Sequence, residues 1–286
     1  MLRAIALLFI LFSSPALAER VSADILGRSY LADLPAQPAG APILVVLHGA
    51  GGWGAQVANN SRMSRPANRA GYVVLYPTAT VRDGLRSWNS GYGPPARREV
   101  DDIRFLDAMI SDAAARFSAD PDRVYMAGMS NGAMMAESYA ASRPGRVKAV
   151  AGVAGTMNIA AFRVRGPVPL LQIHGTADGL VPYNGGPSRF RGVTYRFASV
   201  ADVVGAFVRA QGDGLRRTEQ IIDPANDGMR TVATNWSRGG KVRVRLLTVE
   251  GGRHLWPGGR GATPRRGGTQ DIDATAEILA FFAQFR

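Results

Sequence analysis

Three side chains of this 286-residue chain could cooperate in nucleophilic catalysis: Ser130, Asp178 and His254. Ser130 lies in Gly128-Met129-Ser130-Asn131-Gly132, after the apolar run Val124-Tyr125-Met126-Ala127 and before a stretch of good helix formers. A strand that ends on one serine in a sharp turn, with a helix starting at once, is a nucleophile elbow. The glycines are needed where larger side chains would clash between strand and helix. The turn projects the hydroxyl, and the helix N-terminus behind it offers free N–H groups and a partial positive charge. In a chain with 34 glycines, a G-x-S-x-G pentapeptide can arise by composition alone. Ser130 could also be a small turn residue or a helix N-cap, so the rest of the chain must decide.

A serine hydroxyl is scarcely ionised at neutral pH and needs a base. The base in turn needs an acid that fixes its tautomer and stabilises the imidazolium. The chain has three histidines, His48, His174 and His254. Only His254 follows a suitable acid, Asp178, which lies just past the second strand after the elbow. The order serine, acid, histidine is thereby met. Asp178 could instead cap a turn with Gly179, and His254 could be a surface loop residue. His48 and His174 close apolar strands and are expected to orient backbone. The histidines form no H-x-x-x-H pair, so no metal site is expected, and the chemistry needs no cofactor.

A glycine loop supplies the next part. His48-Gly49-Ala50-Gly51-Gly52 follows the buried run 43–47. Gly49, Gly51 and Gly54 also fit a dinucleotide-binding G-x-G-x-x-G. That reading wants an acid at the end of the next strand, 72–76, which instead runs into Pro77-Thr78. A loop presenting backbone N–H groups to an oxyanion fits better, with Asn131 and Ala50 as the expected donors.

The elements that must position these residues alternate. Buried strands are expected at 43–47, 72–76, 124–127, 148–153 and 169–173, with one or two antiparallel strands between 20 and 34. Helices are expected at 59–69, 99–117, 198–211 and 273–285. Asp101 and Asp102 fall in the first turn of the second of these, where helix capping is favoured over acid–base chemistry. Residues 77–98 and 179–197 read as irregular loops, and 231–237 with 242–249 as a hairpin. The pattern is α/β with a mostly parallel sheet and helices on both faces.

Residues 1–18 read as a signal peptide: Arg3, an apolar run at 4–12, and Ala16-Leu17-Ala18 before a mature start at Glu19. The run is shorter than the roughly 20 residues of a spanning helix, so no stable membrane insertion is expected. Residues 19–286 are expected to form one exported catalytic domain, periplasmic or extracellular. With no cysteine, no disulfide framework is available. The formal charge is +12, and all but Lys148 and Lys241 of the 34 basic residues are arginine. They are scattered, and no nucleic-acid motif accompanies them, so a nucleic-acid partner is not expected.

Five segments, in order, resemble the exported polyhydroxybutyrate depolymerase and feruloyl esterase group of α/β hydrolases. They are Leu47-His48-Gly49-Ala50-Gly51-Gly52, Val100-Asp101-Asp102-Ile103, Gly128 to Ala136, His174-Gly175-Thr176-Ala177-Asp178-Gly179-Leu180-Val181-Pro182-Tyr183, and Gly252-Arg253-His254-Leu255-Trp256-Pro257-Gly258. The resemblance implies the α/β-hydrolase fold, the triad Ser130, Asp178 and His254, and hydrolysis of carboxylic esters. It does not fix the ester: a small or oligomeric substrate such as a hydroxyalkanoate oligomer, a feruloyl ester or an acetyl ester would serve. Many relatives carry a cysteine where this chain has Ser87 before Trp88-Asn89, so that disulfide is absent. Trp88, Tyr92, Tyr183 and Trp256 lie in loops near glycine and proline and could wall a substrate pocket, or could pack the core. Two rival functions remain at this level, an exported peptidase or amidase on the same triad and a non-catalytic exported binding protein.

Overall fold

The computed structural model describes residues 19–94 and 100–286. The expected signal peptide, and Glu99 at the start of an expected helix, lie outside the described residues. In chain order the strands begin with β1 (Glu19–Ile25), β2 (Arg28–Leu34), β3 (Pro42–Leu47), β4 (Val73–Pro77), β5 (Val81–Arg82) and β6 (Leu85–Arg86). They continue with β7 (Asp120–Met129), β8 (Ala149–Val153), β9 (Leu170–Gly175), β10 (Gly186–Phe190), β11 (Val193–Phe197), β12 (Arg216–Ile222), β13 (Arg230–Arg238) and β14 (Lys241–Glu250). The helices are α1 (Gly54–Ser61), α2 (Ser64–Arg69), α3 (Asp102–Phe117), α4 (Asn131–Ser142), α5 (Val200–Ala210) and α6 (Ala274–Ala283).

The continuous apolar runs become the centre of a ten-stranded sheet, ordered β1-β2-β4-β3-β7-β8-β9-β14-β13-β12. The six strands from β4 to β14 in that order are parallel. Antiparallel pairs extend both ends. Strand β3 shows why an unbroken apolar run was required. Ile43, Val45 and Leu47 enter one core, Leu44 and Val46 the other, and all five are fully buried. Each such side chain contributes about 1.5–3 kcal/mol. The first core is covered by α3, α4 and α5 through Phe105, Tyr139 and Phe207, the second by α1, α2 and α6 through Val57, Ala67 and Phe282.

The structure departs from the sequence reading at five places, one of them the loop expected at 77–98, which contains the short antiparallel strands β5 and β6. The crossover helix expected at 59–69 is two helices, parted at Arg62 with a φ of 55°. Its start moves back to Gly54, where a Cβ would lie 2.2 Å from Tyr76 O, so only glycine lets α1 begin against the end of β4. The loop expected at 179–197 contains a hairpin, β10 and β11. Strand β12 is an edge strand whose polar sequence hides it. Asp120-Pro121-Asp122 does not precede β7 but bulges within it, the register jumping from Pro42↔Asp120 to Ile43↔Val124. No helix among the described residues is long and apolar enough to cross a membrane.

Candidate active site

Ser130 stands between β7 and α4 with φ 56° and ψ −124°, a conformation costly for any residue but glycine. The close crossing of strand and helix enforces it. A Cβ on Gly128 would lie 2.3 Å from Gly132 O, one on Gly132 would lie 2.3 Å from Leu47 O, and one on Gly155 would lie 2.3 Å from Ser130 O. Ser130 N–H donates to Val153 O at 2.8 Å, fixing the turn to β8. The Ser130 side chain caps no N–H of α4, so the hydroxyl is not engaged as a helix cap. It opens into a cavity of about 300 Å³.

His254 reaches the same cavity from the loop after β14. Its Nδ1 lies 2.8 Å from Asp178 Oδ2, across 76 residues of sequence. Backbone pairing zips the two loops together: Thr176 N–H donates to Val249 O, and Ala177 N–H to Gly252 O, both at 2.9 Å. Gly175 must be glycine there, because a Cβ would lie 2.1 Å from Gly252 O. Asp178 is buried, and its Oδ1 accepts from the N–H groups of Leu180 and Val181 at 2.8 and 2.9 Å. Burial works to raise its pKa, but hydrogen bonds from His174, His254 and Val181 outweigh it and hold the carboxyl well below the usual carboxylate range. Asp178 is therefore an anion facing His254 Nδ1, which fixes that nitrogen as the protonated one and leaves Nε2 as the basic atom.

The glycine loop after β3 lies against the elbow, with a Cβ on Gly49 placed 3.3 Å from Ser130 Cβ. Gly51 N–H is bonded to Arg86 O and Gly52 N–H to Gly49 O. Of this loop, His48, Gly49 and Ala50 line the cavity. Asn131 begins α4, so its N–H has no partner within the helix. His48 itself is buried. Ala79 N–H donates to its Nε2 at 3.0 Å, so its Nδ1 donates to Gly49 O at 2.7 Å. Burial brings its pKa down to about 4, and it stays neutral, a brace for the loop.

The four aromatic candidates separate. Trp88, Tyr92 and Trp256 line the cavity, whereas Tyr183 is not among its lining residues. The Tyr183 hydroxyl pairs with Thr248 Oγ1 at 2.7 Å and its ring packs edge-on against His174. Trp88 and Trp256 are also core residues, their indole N–H groups bonded to His48 O and Thr275 Oγ1. Sequence reasoning missed the hairpin wall. On β10 and β11 the residues Ser188, Phe190, Val193, Tyr195 and Phe197 share the inward face, and Pro187, Arg189, Thr194 and Arg196 the exposed one. Phe190, Tyr195 and Phe197 line the cavity with Leu180 and Met134. The signal was present as strict alternation in Val193-Thr194-Tyr195-Arg196-Phe197.

The acidic pair at the start of α3 also divides. Asp101 is the N-cap, accepting from Arg104 N–H at 2.9 Å. Asp102 is not a cap. It is buried, pairs with Arg28 at 2.7 Å and accepts from Asn89 N–H at 2.6 Å, tying the Trp88 loop to β2. Among the described residues no cluster of His, Asp and Glu could hold a metal ion.

Comparison with known proteins agrees with this architecture. Residues 29–172 match the family described as esterase PHB depolymerase. NocK of Nocardia uniformis subsp. tsuyamanensis, named as an esterase, is 35% identical over 260 residues, 83% of this chain and 74% of that one. Feruloyl esterase B of Piromyces equi is 27% identical over 75% of this chain, which spans 39% of that protein's length. Among solved structures, an acetyl xylan esterase from Aspergillus awamori is similar with a TM-score of 0.64 at 14% identity, over 94% of this chain and 99% of that one. An S-formylglutathione hydrolase from Agrobacterium tumefaciens reaches 0.54 at 15% identity, over 94% and 95%. The structural likenesses speak for the fold, an α/β hydrolase. The sequence likenesses speak for the reaction, and the chain belongs to the PHB depolymerase esterase family and is a carboxylic ester hydrolase.

Proposed function

We propose that Ser130, His254 and Asp178 are the nucleophile, base and orienting acid of an exported serine esterase. The observation that carries this reading is that His254, paired with the buried Asp178, lines the same cavity as the strained Ser130 turn. His254 Nε2 takes the hydroxyl proton as Ser130 Oγ attacks the ester carbonyl. The oxyanion is held by the N–H groups of Asn131 and Ala50, each worth about 3–4 kcal/mol of barrier. The imidazolium, stabilised by Asp178, then protonates the leaving alkoxide. Water repeats the cycle on the acyl-enzyme, returning the acid and free Ser130. No metal or cofactor enters the cycle.

The pocket supports an ester whose acyl group is apolar or aromatic, because Trp88, Tyr92, Phe190, Tyr195 and Phe197 wall the cavity beside Ser130. A hydroxyalkanoate oligomer, a feruloyl ester and an acetyl ester all remain within this class. Residues 19–286 act as one catalytic domain after removal of 1–18. The test is turnover of p-nitrophenyl esters from acetate to octanoate, with a feruloyl ester and a matched amide, by the protein and by Ser130→Ala. Turnover of esters over amides, abolished in Ser130→Ala, is the expected result. Turnover that survives the substitution overturns the triad. Mass spectrometry of the protein recovered outside the cytoplasm, showing a chain that starts at Glu19, tests export.

A further inference from the structure

Behind Asp178 the polar side chains continue into the core. His174 and Gln172 lie on β9, and Glu137 lies on α4, packed over Gly152 of β8. All three are 0–1% exposed, and Glu137 and Gln172 do not line the cavity. Nothing in the ester chemistry above uses them. A buried carboxyl in a sheet core, with no cation paired to it among the described residues, calls for a reason.

The hydrogen-bond directions follow from the groups fixed at each end. His174 Nε2 lies 2.9 Å from Val181 O and 3.3 Å from Asp178 Oδ2. Both are acceptors, so Nε2 carries the proton. Nδ1 lies 3.5 Å from Gln172 Nε2, a donor, so Nδ1 is bare and the ring neutral. Gln172 Nε2 also donates to Gly155 O at 2.7 Å. Turning that amide over would set its oxygen against a carbonyl, so its orientation is determined.

Gln172 Oε1 therefore points away, toward Glu137. A Cβ on Gly152 would lie 1.9 Å from Glu137 Oε1 and 2.8 Å from Gln172 Oε1, so both oxygens face one small space. Both are buried, and neither has a hydrogen-bond partner as long as Glu137 is a carboxylate. Glu137 Oε2 is already taken by Met157 N–H at 2.8 Å. A proton on Glu137 Oε1, shared with Gln172 Oε1, would satisfy both oxygens at once.

We propose that protonated Glu137 donates to Gln172 Oε1, and that this pair positions the catalytic acid by setting the His174 tautomer that braces Asp178 against His254. The order is Glu137 to Gln172, Gln172 to His174, His174 to Asp178, each donating to the next. Burial, opposed by the Met157 N–H, raises the Glu137 carboxyl well above the usual carboxylate range, in keeping with this arrangement. Glu137, Gln172 and His174 are positioning residues. The proposal rests on the assignment of Asp178 as the triad acid.

The experiment compares the protein with Glu137→Gln and Glu137→Leu, using ¹⁵N-histidine NMR, kcat and KM on a p-nitrophenyl ester, and fluorophosphonate titration to count competent sites. With three histidines the spectrum is assignable. In the unsubstituted protein, His174 is expected as the neutral Nε2–H form, and His48 as the Nδ1–H form. Glu137→Gln can still donate to Gln172 and accept from Met157, so it should keep that tautomer and nearly all of kcat. Glu137→Leu should lose the single tautomer and about ten-fold in kcat per titrated site with KM unchanged, the size expected when a catalytic group shifts by a fraction of an ångström. The proposal is overturned if Glu137→Gln is as damaging as Glu137→Leu. It is equally overturned if Glu137→Leu lowers the melting temperature and leaves kcat per site and the tautomer untouched. Should Glu137→Leu not fold, an imidazolium or Nδ1–H signature for His174 in the unsubstituted protein overturns it. The Ser130→Ala control separates this from failure of the triad, which would show as surviving turnover whatever the His174 tautomer.

Discussion

Asn131 and Trp88 exchange a pair of hydrogen bonds: Trp88 N–H donates to Asn131 Oδ1 at 2.7 Å, and Asn131 Nδ2 donates to Trp88 O at 3.1 Å. Asn131 Nδ2 also donates to Ser90 Oγ at 3.0 Å. The first residue of the elbow helix thus holds the loop that walls the pocket. The same Trp88 reaches His48 O through its indole. One side chain therefore fixes the aromatic wall, while the backbone N–H of the same residue is the proposed oxyanion donor.

Asn131→Ala separates these two roles. The backbone donor stays, but Trp88 N–H and O lose their partners. A loss of about 2–3 kcal/mol in stability is expected from two or three broken bonds of this kind. KM for aromatic esters should rise more than kcat falls, and fluorophosphonate labelling of Ser130 should persist. Thermal melting and steady-state kinetics check this. A fall in kcat alone would place the side chain at the oxyanion instead.

Gly132→Ala tests the elbow's geometry. The added Cβ would meet Leu47 O at 2.3 Å and His48 O at 2.5 Å, both backbone atoms that have no rotamer to give. A loss above about 4 kcal/mol, or failure to recover folded protein, is expected, since overlap with backbone belongs to the severe class of substitutions. Gly179→Ala is the matched control: nothing lies within 4 Å of its Cβ position and its φ is ordinary. Its melting temperature should be unchanged. Equal melting temperatures for both variants would show that the packing of α4 against the end of β3 is looser than described.

What the sequence made legible follows from how each signal is encoded. The elbow, the buried strands and the order Ser130, Asp178, His254 are written locally, as unbroken apolar runs ending in glycine-rich turns. The hairpin of β10 and β11 was missed because its strands carry Arg189 and Arg196 outside and aromatics inside, within a stretch dense in glycine and proline. Tyr183 stood as a pocket candidate because it lies in a loop near glycine and proline, and loop position does not give side-chain direction. Asp102 was read with Asp101 as a cap, since nothing local announces that Arg28, 74 positions earlier, waits to pair with it. Long-range pairing of single polar residues is the information a lone sequence lacks.

Phe190→Ala tests the wall that the hairpin supplies. Phe190 is half-buried at the end of β10 and lines the cavity with Tyr195 and Phe197. Its removal opens space without touching Ser130, Asp178 or His254. The ratio of kcat/KM for octanoate over acetate esters should rise by about ten-fold, the discrimination that one or two methylenes in an apolar pocket provide. An unchanged ratio would mean that the acyl chain leaves the cavity by another side.

The buried Glu137 also predicts how stability depends on pH. In the unfolded chain a glutamate titrates near about 4.3. In the folded protein its pKa is raised well above that by burial. Between the two values the folded state holds a proton that the unfolded state has released, so this residue's contribution to stability is full below the unfolded pKa and is lost as pH rises through the folded one. Asp178 acts in the opposite sense, because its folded pKa is depressed: its contribution is present above the unfolded pKa and is lost on acidification. Glu137→Gln removes the first dependence and leaves the second. The melting temperature of Glu137→Gln minus that of the unsubstituted protein should therefore increase as pH rises above about 4.3 and level off once folded Glu137 ionises, as read by differential scanning fluorimetry. A difference that shrinks over the same range would mean that Glu137 is ionised in the fold and contributes as an anion.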